Sequence, residues 1–161
     1  HKHKYILSLK SKRSIHMNMK IKRIRDKAIL PTRGSTYAAG YDLYAALDEP
    51  IGIPAYSTVK IPTGIATEIP SGYFGAIYAR SGLATKYGIR PSNCVAVVDE
   101  DYRGEWFVPL HNDSDEDYIV SPGDRIAQIV FQPYLCVDFE EVDELNNTAR
   151  GAGGFGSTGK N

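Results

Sequence analysis

The sequence predicts an all-β protein with a single short helix, and two observations carry that prediction. Nine prolines and 15 glycines divide the 161 residues into short runs rich in β-forming side chains. No stretch sustains the 3.6-residue apolar period of a long amphipathic helix, and the runs recur at the spacing of a β-sandwich, jelly roll or barrel. With 42% hydrophobic residues, the chain suits one domain with its own core.

In chain order, the candidate strands are Lys20 to Ile24, Tyr41 to Ala46, Ser57 to Ile69, Tyr73 to Ala79 and Cys94 to Val98, followed by Gly104 to His111, Tyr118 to Val120, Arg125 to Phe131 and Leu135 to Glu141. The helix is expected over Ser81 to Tyr87, with Ser81 as its N-cap and Gly88 as its stop. Residues 150–161 are too poor in apolar groups to fold on their own and form a flexible tail.

Charge is unevenly distributed. Residues 1–16 hold five of the 19 Lys and Arg and no acid, so residues 17–161 carry 14 basic against 19 acidic groups, a net of −5. That excess of acid argues against a general nucleic-acid binder, while leaving room for a small anion at one basic spot. Residues 1–16 end in His16-Met17, which reads as a vector-encoded leader or as the remnant of a basic transit segment. Tyr5 to Leu9 is too short for a signal-peptide core, and no apolar run approaches a membrane span, so an intracellular, soluble protein is expected.

Cys94 and Cys136 lie 42 residues apart in apolar surroundings, without a C-x-x-C pair. They are expected to pack in the core and to form neither a zinc site nor a disulfide. His111 is the only histidine after residue 16. Hydrolysis by this chain therefore has to rely on carboxylate, metal or both.

Four strings can carry chemistry. Arg80-Ser81-Gly82 joins a strand to the helix and combines a guanidinium, a hydroxyl and open N–H groups; it reads as an anion site or as a plain helix cap. Val97-Val98-Asp99-Glu100-Asp101-Tyr102-Arg103-Gly104-Glu105 is an apolar strand running into an acidic turn. Its Asp99 can orient and deprotonate a water, or belong to an ordinary turn. In Ser121 to Gln128, alternation is expected to put Ile126 and Gln128 on one side of a strand, where the Gln needs a partner from a ligand or a loop.

The tail from Arg150 to Asn161 spells both Gly151-x-Gly153-x-x-Gly156 and Gly154-x-x-x-x-Gly159-Lys160, yet no helix follows to meet a phosphate. It can close over a polyphosphate and a base, or be a plain Gly/Ser tail. Asp113 to Asp117 imitates the start of a calcium loop, but Tyr118 stands where that loop requires Gly, which favours a solvated acidic loop.

Taken together, Ala39 to Ala46, Arg80 to Ala84, Asn93 to Gly104, Gly123 to Gln128 and Arg150 to Gly159 resemble, in order and spacing, the five motifs of the trimeric deoxyuridine triphosphatases (dUTPases). The match covers residues 19–161. The resemblance implies a distorted jelly-roll subunit, a homotrimer with three sites at subunit interfaces, and a C-terminal arm that closes over a site built largely by other subunits. It further implies hydrolysis of dUTP to dUMP and pyrophosphate with Mg2+, which limits uracil incorporation into DNA and supplies dUMP for dTMP synthesis.

Residue by residue, the resemblance makes Asp99 the group that activates the water attacking the α-phosphorus, and Asp42 the carboxylate that supports Mg2+ through water. Arg80, Ser81, Gly82 and Gln128 would contact the phosphates, and Arg150, Gly156, Ser157 and Thr158 would close on them. Phe155 would stack on the uracil, a contact worth about 1–3 kcal/mol per base. Asn93 and the hairpin backbone through Ala96 and Val98 would pair with the uracil edge, and Tyr102 would exclude a 2′-hydroxyl. Ala96 departs from the family, which usually has Gly there, so its methyl is expected to bear on the uracil pocket. The alternatives are a dCTP deaminase of the same superfamily, for which no matching Glu stands beside the hairpin, and a regulatory binding protein such as some phage members.

Overall fold

A computed structural model describes residues 16–154. Eleven strands and one helix follow in chain order: β1 (Lys20–Arg23), β2 (Tyr41–Tyr44), β3 (Ile51–Ile53), β4 (Thr58–Pro62), β5 (Ile65–Glu68), β6 (Tyr73–Tyr78), α1 (Ser81–Tyr87), β7 (Ile89–Pro91), β8 (Ala96–Val98), β9 (Phe107–Asn112), β10 (Tyr118–Val120) and β11 (Arg125–Pro133). All pairings are antiparallel. They form sheets β2-β11-β6-β8 and β4-β9-β7 and the two-stranded ribbons β1-β5 and β10-β3.

One core joins the two larger sheets. Leu43, Ile77, Val98, Ala127 and Ile129 enter it from the four-stranded sheet, and Ile61, Ile89, Val108 and Leu110 from the three-stranded one. Each such Leu, Ile or Val contributes about 1.5–3 kcal/mol by leaving water. Trp106, only 2% exposed, is fixed by its backbone: its N–H donates to the Ile65 carbonyl at 2.9 Å, and its carbonyl accepts from the Thr63 amide at 3.1 Å and the Thr63 hydroxyl at 2.6 Å. Gly75 lets this packing close, because a Cβ there would stand 2.7 Å from Ile129 Cδ1 and 3.4 Å from Val98.

Several expectations are corrected. The run from Ser57 to Ile69 is two strands: Gly64 turns the chain with φ +70° between β4 and β5, a conformation that suits glycine. Strands β3 and β7, three residues each, were not foreseen. Leu135 to Glu141 is not a strand among the described residues; Leu135 and Phe139 are 89% and 95% exposed, and no strand of the described chain pairs with this segment.

Ser81 is the first residue of α1 and not its N-cap. Arg80 occupies the cap with extended φ/ψ and no side-chain capping bond, while Gly88 closes the helix in the left-handed region as expected. Both cysteines are exposed, because Cys94 precedes β8 and Cys136 follows β11. A bulge between Arg125 and Ala127 buries Ile126 and Ala127 in succession and breaks the alternation expected to relate Ile126 to Gln128.

Candidate functional site

Strand β11 lies between β2 and β6, and that order brings three of the predicted residues to one corner. Gln128 is in register with Asp42 on one side and with Tyr78 on the other. Its side-chain amide donates to the Ala79 carbonyl at 2.9 Å, one residue before Arg80. Gly40 makes room for this arrangement: a Cβ there would stand 2.5 Å from Gln128 Oε1.

Arg80 Nε donates to Asp42 Oδ1 at 2.9 Å, and Arg125 Nη1 donates to Oδ2 at 3.2 Å. Asp42 is 15% exposed and Arg80 25%. Arg80 also reaches the Arg125 carbonyl at 3.2 Å. Two guanidiniums thus converge on one carboxylate, with Asp124 lining the same corner, and their remaining N–H donors suit an anion.

Beside this pair, α1 begins with Ser81 and Gly82, both exposed. The first amides of a helix have no intrahelical acceptor, and no side chain caps them here. A Cβ at Gly82 would meet nothing within 4 Å, so among the described residues the glycine serves no packing need.

The hairpin residues form a second group. Ala96 and Val98 are 7% and 6% exposed and pair with Ile77 and Gly75. The Ala96 methyl therefore packs on the core. Asn93 is exposed, and its side chain has no hydrogen-bond partner among the described residues. Asp99 leaves the end of β8 with an exposed carboxylate that makes no hydrogen bond or ion pair among the described residues. Together with Phe74, Val97, Glu100, Asp101 and Tyr134, it lines a cleft of about 590 Å³. Tyr102 donates its hydroxyl to the Glu105 carbonyl at 3.0 Å, and a Cβ at Gly104 would collide with the Tyr102 ring.

Asp99 and Arg80 stand at opposite ends of β6, while Ala96 of the hairpin pairs with Ile77 nearer the Arg80 end. Asp99 lines the cleft with Phe74, whereas Arg80 follows the other end of that strand, so about 20 Å of extended chain separates them. One chain by itself does not bring its Asp99 to its own Arg80. Arg150 bonds to neither group among the described residues: it is exposed, and its Nε donates to the Gly153 carbonyl at 2.9 Å. Phe155, Gly156, Ser157 and Thr158 lie outside the described residues.

Among the described residues, no group of three or more His, Cys, Asp or Glu is placed to hold a metal. Asp42, engaged by two arginines, does not fit a resident ion in a protein cage. A lone carboxylate does fit a Mg2+ that arrives with phosphates and keeps its own waters. The acidic loop at 113–117 is held by local bonds: Asn112 Oδ1 accepts from the Ser114 amide at 2.9 Å, Asp117 accepts from the Ala55 amide at 2.9 Å, and Asp113 pairs with Arg90 at 2.6 Å.

Arg125 was not assigned a role from sequence, and neither was Gly40. Arg125 and Asp42 are 83 residues apart in sequence, so no local pattern announces their pairing.

A family model for dUTPase matches residues 26–159. The deoxyuridine 5'-triphosphate nucleotidohydrolase of Desulfitobacterium hafniense is 49% identical over 146 residues, spanning 89% of this chain and 97% of the relative. That of Candida albicans is 46% identical over 154 residues and 94% of each chain. Among solved structures, the dUTPase of Staphylococcus bacteriophage 80alpha, determined with dUpNHpp, superposes with a TM-score of 0.80 at 26% identity over 88% of this chain and 98% of its own. The dUTPase of phage phi11 of S. aureus, described with a structural Mg(II) ion, shares the fold with a TM-score of 0.72 at 23% identity over 80% and 98%. The family-model match spans most of the chain, and this chain belongs to the dUTPase family, with its jelly-roll β fold.

Proposed function

We propose that this chain hydrolyses dUTP to dUMP and pyrophosphate at composite sites in a homotrimer, so limiting uracil incorporation into DNA and supplying dUMP. The observation that carries the composite site is the separation of Asp99 from Arg80 along β6. The base-binding hairpin with Asp99 comes from one subunit, and the phosphate corner of Asp42, Arg80, Ser81, Gly82 and Gln128 comes from a neighbour.

In this reading, Asn93 and the backbone at Ala96 and Val98 hold the uracil edge, and Tyr102 bounds the sugar. Arg80, the first amides of α1 and Gln128 hold the phosphates. Asp99, exposed and unpaired among the described residues, takes a proton from water as that water attacks the α-phosphorus. Bound with the triphosphate, Mg2+ supplies charge neutralisation on the phosphate oxygens, with Asp42 holding its waters. Residues 17–149 form the β domain, and residues 150–161 form an arm in which Arg150, Gly156, Ser157, Thr158 and Phe155 close on phosphates and base.

Subunit association has support in two exposed features. A groove of about 530 Å³ opens on Met17, Met19, Ile21, Tyr41, Tyr73 and Phe131. Leu135, Val137 and Phe139 alternate along an exposed segment. No helix among the described residues is long and apolar enough to cross a membrane, and the reading implies an intracellular enzyme.

The test is pyrophosphate release from dUTP with Mg2+, beside dCTP and an ammonia assay. Pyrophosphate from dUTP alone supports the reading. Ammonia from dCTP would instead identify a deaminase.

A further inference from the structure

Glu100 makes no side-chain hydrogen bond to a group assigned to the reaction, yet its carboxylate ties the acidic turn after Asp99 to the turn that enters β6, beside Tyr134. Oε2 accepts from the Gly72 amide at 2.5 Å, and Oε1 accepts from the Ser71 hydroxyl at 3.2 Å. The Tyr134 hydroxyl lies close enough to the carboxyl to help lower its pKa. Tyr134 is held twice: its amide donates to the Gly72 carbonyl at 3.2 Å, and its ring meets Phe74 edge-on at 6.4 Å. The Glu100 carbonyl accepts from Arg103 Nη1 at 2.6 Å.

These bonds link the turn entering β6, the acidic turn leaving β8, and the residue where the chain departs β11 toward the tail. The Gly72 amide, with help from Tyr134, holds the Glu100 carboxyl below its ordinary range.

Asp99 has no comparable support. Among the described residues no side chain holds its carboxylate, and its place is set by backbone: Val98 before it is paired with Gly75, Glu100 after it is anchored, and its own carbonyl accepts from the Tyr102 amide at 3.2 Å. A reacting group misplaced by about 1 Å can lose on the order of 100-fold in rate. The anchor on the adjacent residue therefore bears directly on catalysis.

We propose that Glu100 is the positioning residue for Asp99, and that Tyr134 completes the latch, so that one contact sets both the water-activating carboxylate and the root of the C-terminal arm. This inference rests on the reading of Asp99 as the base.

The test measures kcat, KM and Tm for the full-length chain as Glu100→Ala, Glu100→Gln, Ser71→Ala, Tyr134→Phe and Asp99→Asn, with the double variant Asp99→Asn/Glu100→Ala. Glu100→Ala should lower kcat about 10-fold or more with KM little changed. Glu100→Gln keeps the length and an acceptor for Gly72, and should restore most of the rate. Tyr134→Phe and Ser71→Ala each remove one donor and should lose a few-fold in kcat, which keeps the test open should Glu100→Ala fail to fold. In the Asp99→Asn background, Glu100→Ala should cost nothing further, because no base is left to position.

Parental kcat in Glu100→Ala, or in both single-donor variants, overturns the latch. So does a Glu100→Ala effect that persists undiminished without Asp99, or one that falls on KM in step with Tm. An active Asp99→Asn enzyme sinks the reading of Asp99 itself, whereas an inactive one beside a normal Glu100→Ala sinks the latch alone.

Discussion

Gly40→Ala is the substitution that most cleanly separates stability from function. The added Cβ would stand 2.5 Å from Gln128 Oε1 and 3.3 Å from its Cδ, too close to coexist. The obstacle is the far end of a flexible side chain, so Gln128 can swing away and the core need not be repacked. The folding cost is then close to that of one hydrogen bond, from Gln128 Nε2 to the Ala79 carbonyl at 2.9 Å, or about 0.5–1.5 kcal/mol. For a domain of this size, that lowers Tm by about 2–5 °C. The functional cost should be larger, because Gln128 leaves the corner where Asp42 and Arg80 meet. Thermal unfolding beside dUTP kinetics checks both halves. A variant with parental kcat/KM would show that Gln128 placement is irrelevant to the phosphate corner. A Tm loss above 10 °C would show that Gly40 serves core packing instead.

Other outcomes follow from the same geometry. Asp99→Asn should bind dUTP and lose nearly all turnover, read by equilibrium binding beside pyrophosphate release, since an amide can hold a water but cannot take its proton. Gly82→Ala should keep or slightly raise stability, by up to about 1 kcal/mol of helix propensity, yet weaken nucleotide binding if a phosphate approaches that amide; equal affinity would remove Gly82 from the site. Glu100, Glu68 and Asp113 are all held below their ordinary range, by the Gly72 amide, Lys20 and Arg90 respectively. Because the folded values lie below the unfolded ones, their stabilisation is complete above the ordinary carboxylate range and is lost as pH falls through the lowered values. Tm should therefore decline as pH drops below about 4.5, and Glu68→Gln should flatten part of that decline.

Much of the fold was legible because its signals are local. Tyr73–Tyr78 and Tyr118–Val120 are bounded by Gly, Pro or acidic turns, and Gly88 stops α1 where its left-handed φ is needed. The misses have physical causes. Ile51–Ile53, between Pro50 and Pro54, is too short to display a period of two. Ile89–Pro91 ends in a residue that cannot donate to a ladder. Leu135 to Glu141 carries a true strand alternation with no partner strand among the described residues, which sequence alone cannot reveal.

The candidate site divides in the same way. Arg80-Ser81-Gly82 and the hairpin through Asp99 were readable as strings. The Asp42–Arg80–Arg125 triplet was not, because it depends on β11 lying between β2 and β6. The separation of Asp99 from Arg80 is likewise a property of strand direction, visible only once β6 runs from one to the other.

The composite site is tested most directly by mixing two inactive variants, Asp99→Asn and Arg80→Ala, after unfolding and refolding them together. If each site takes Asp99 from one subunit and Arg80 from another, random reassortment leaves about a quarter of the sites with both residues intact. Activity in the mixture should then rise to about that fraction of the parent. A mixture no more active than its separate components, with mixed trimers present by native mass spectrometry, would mean that Asp99 and Arg80 of the same chain serve the same site.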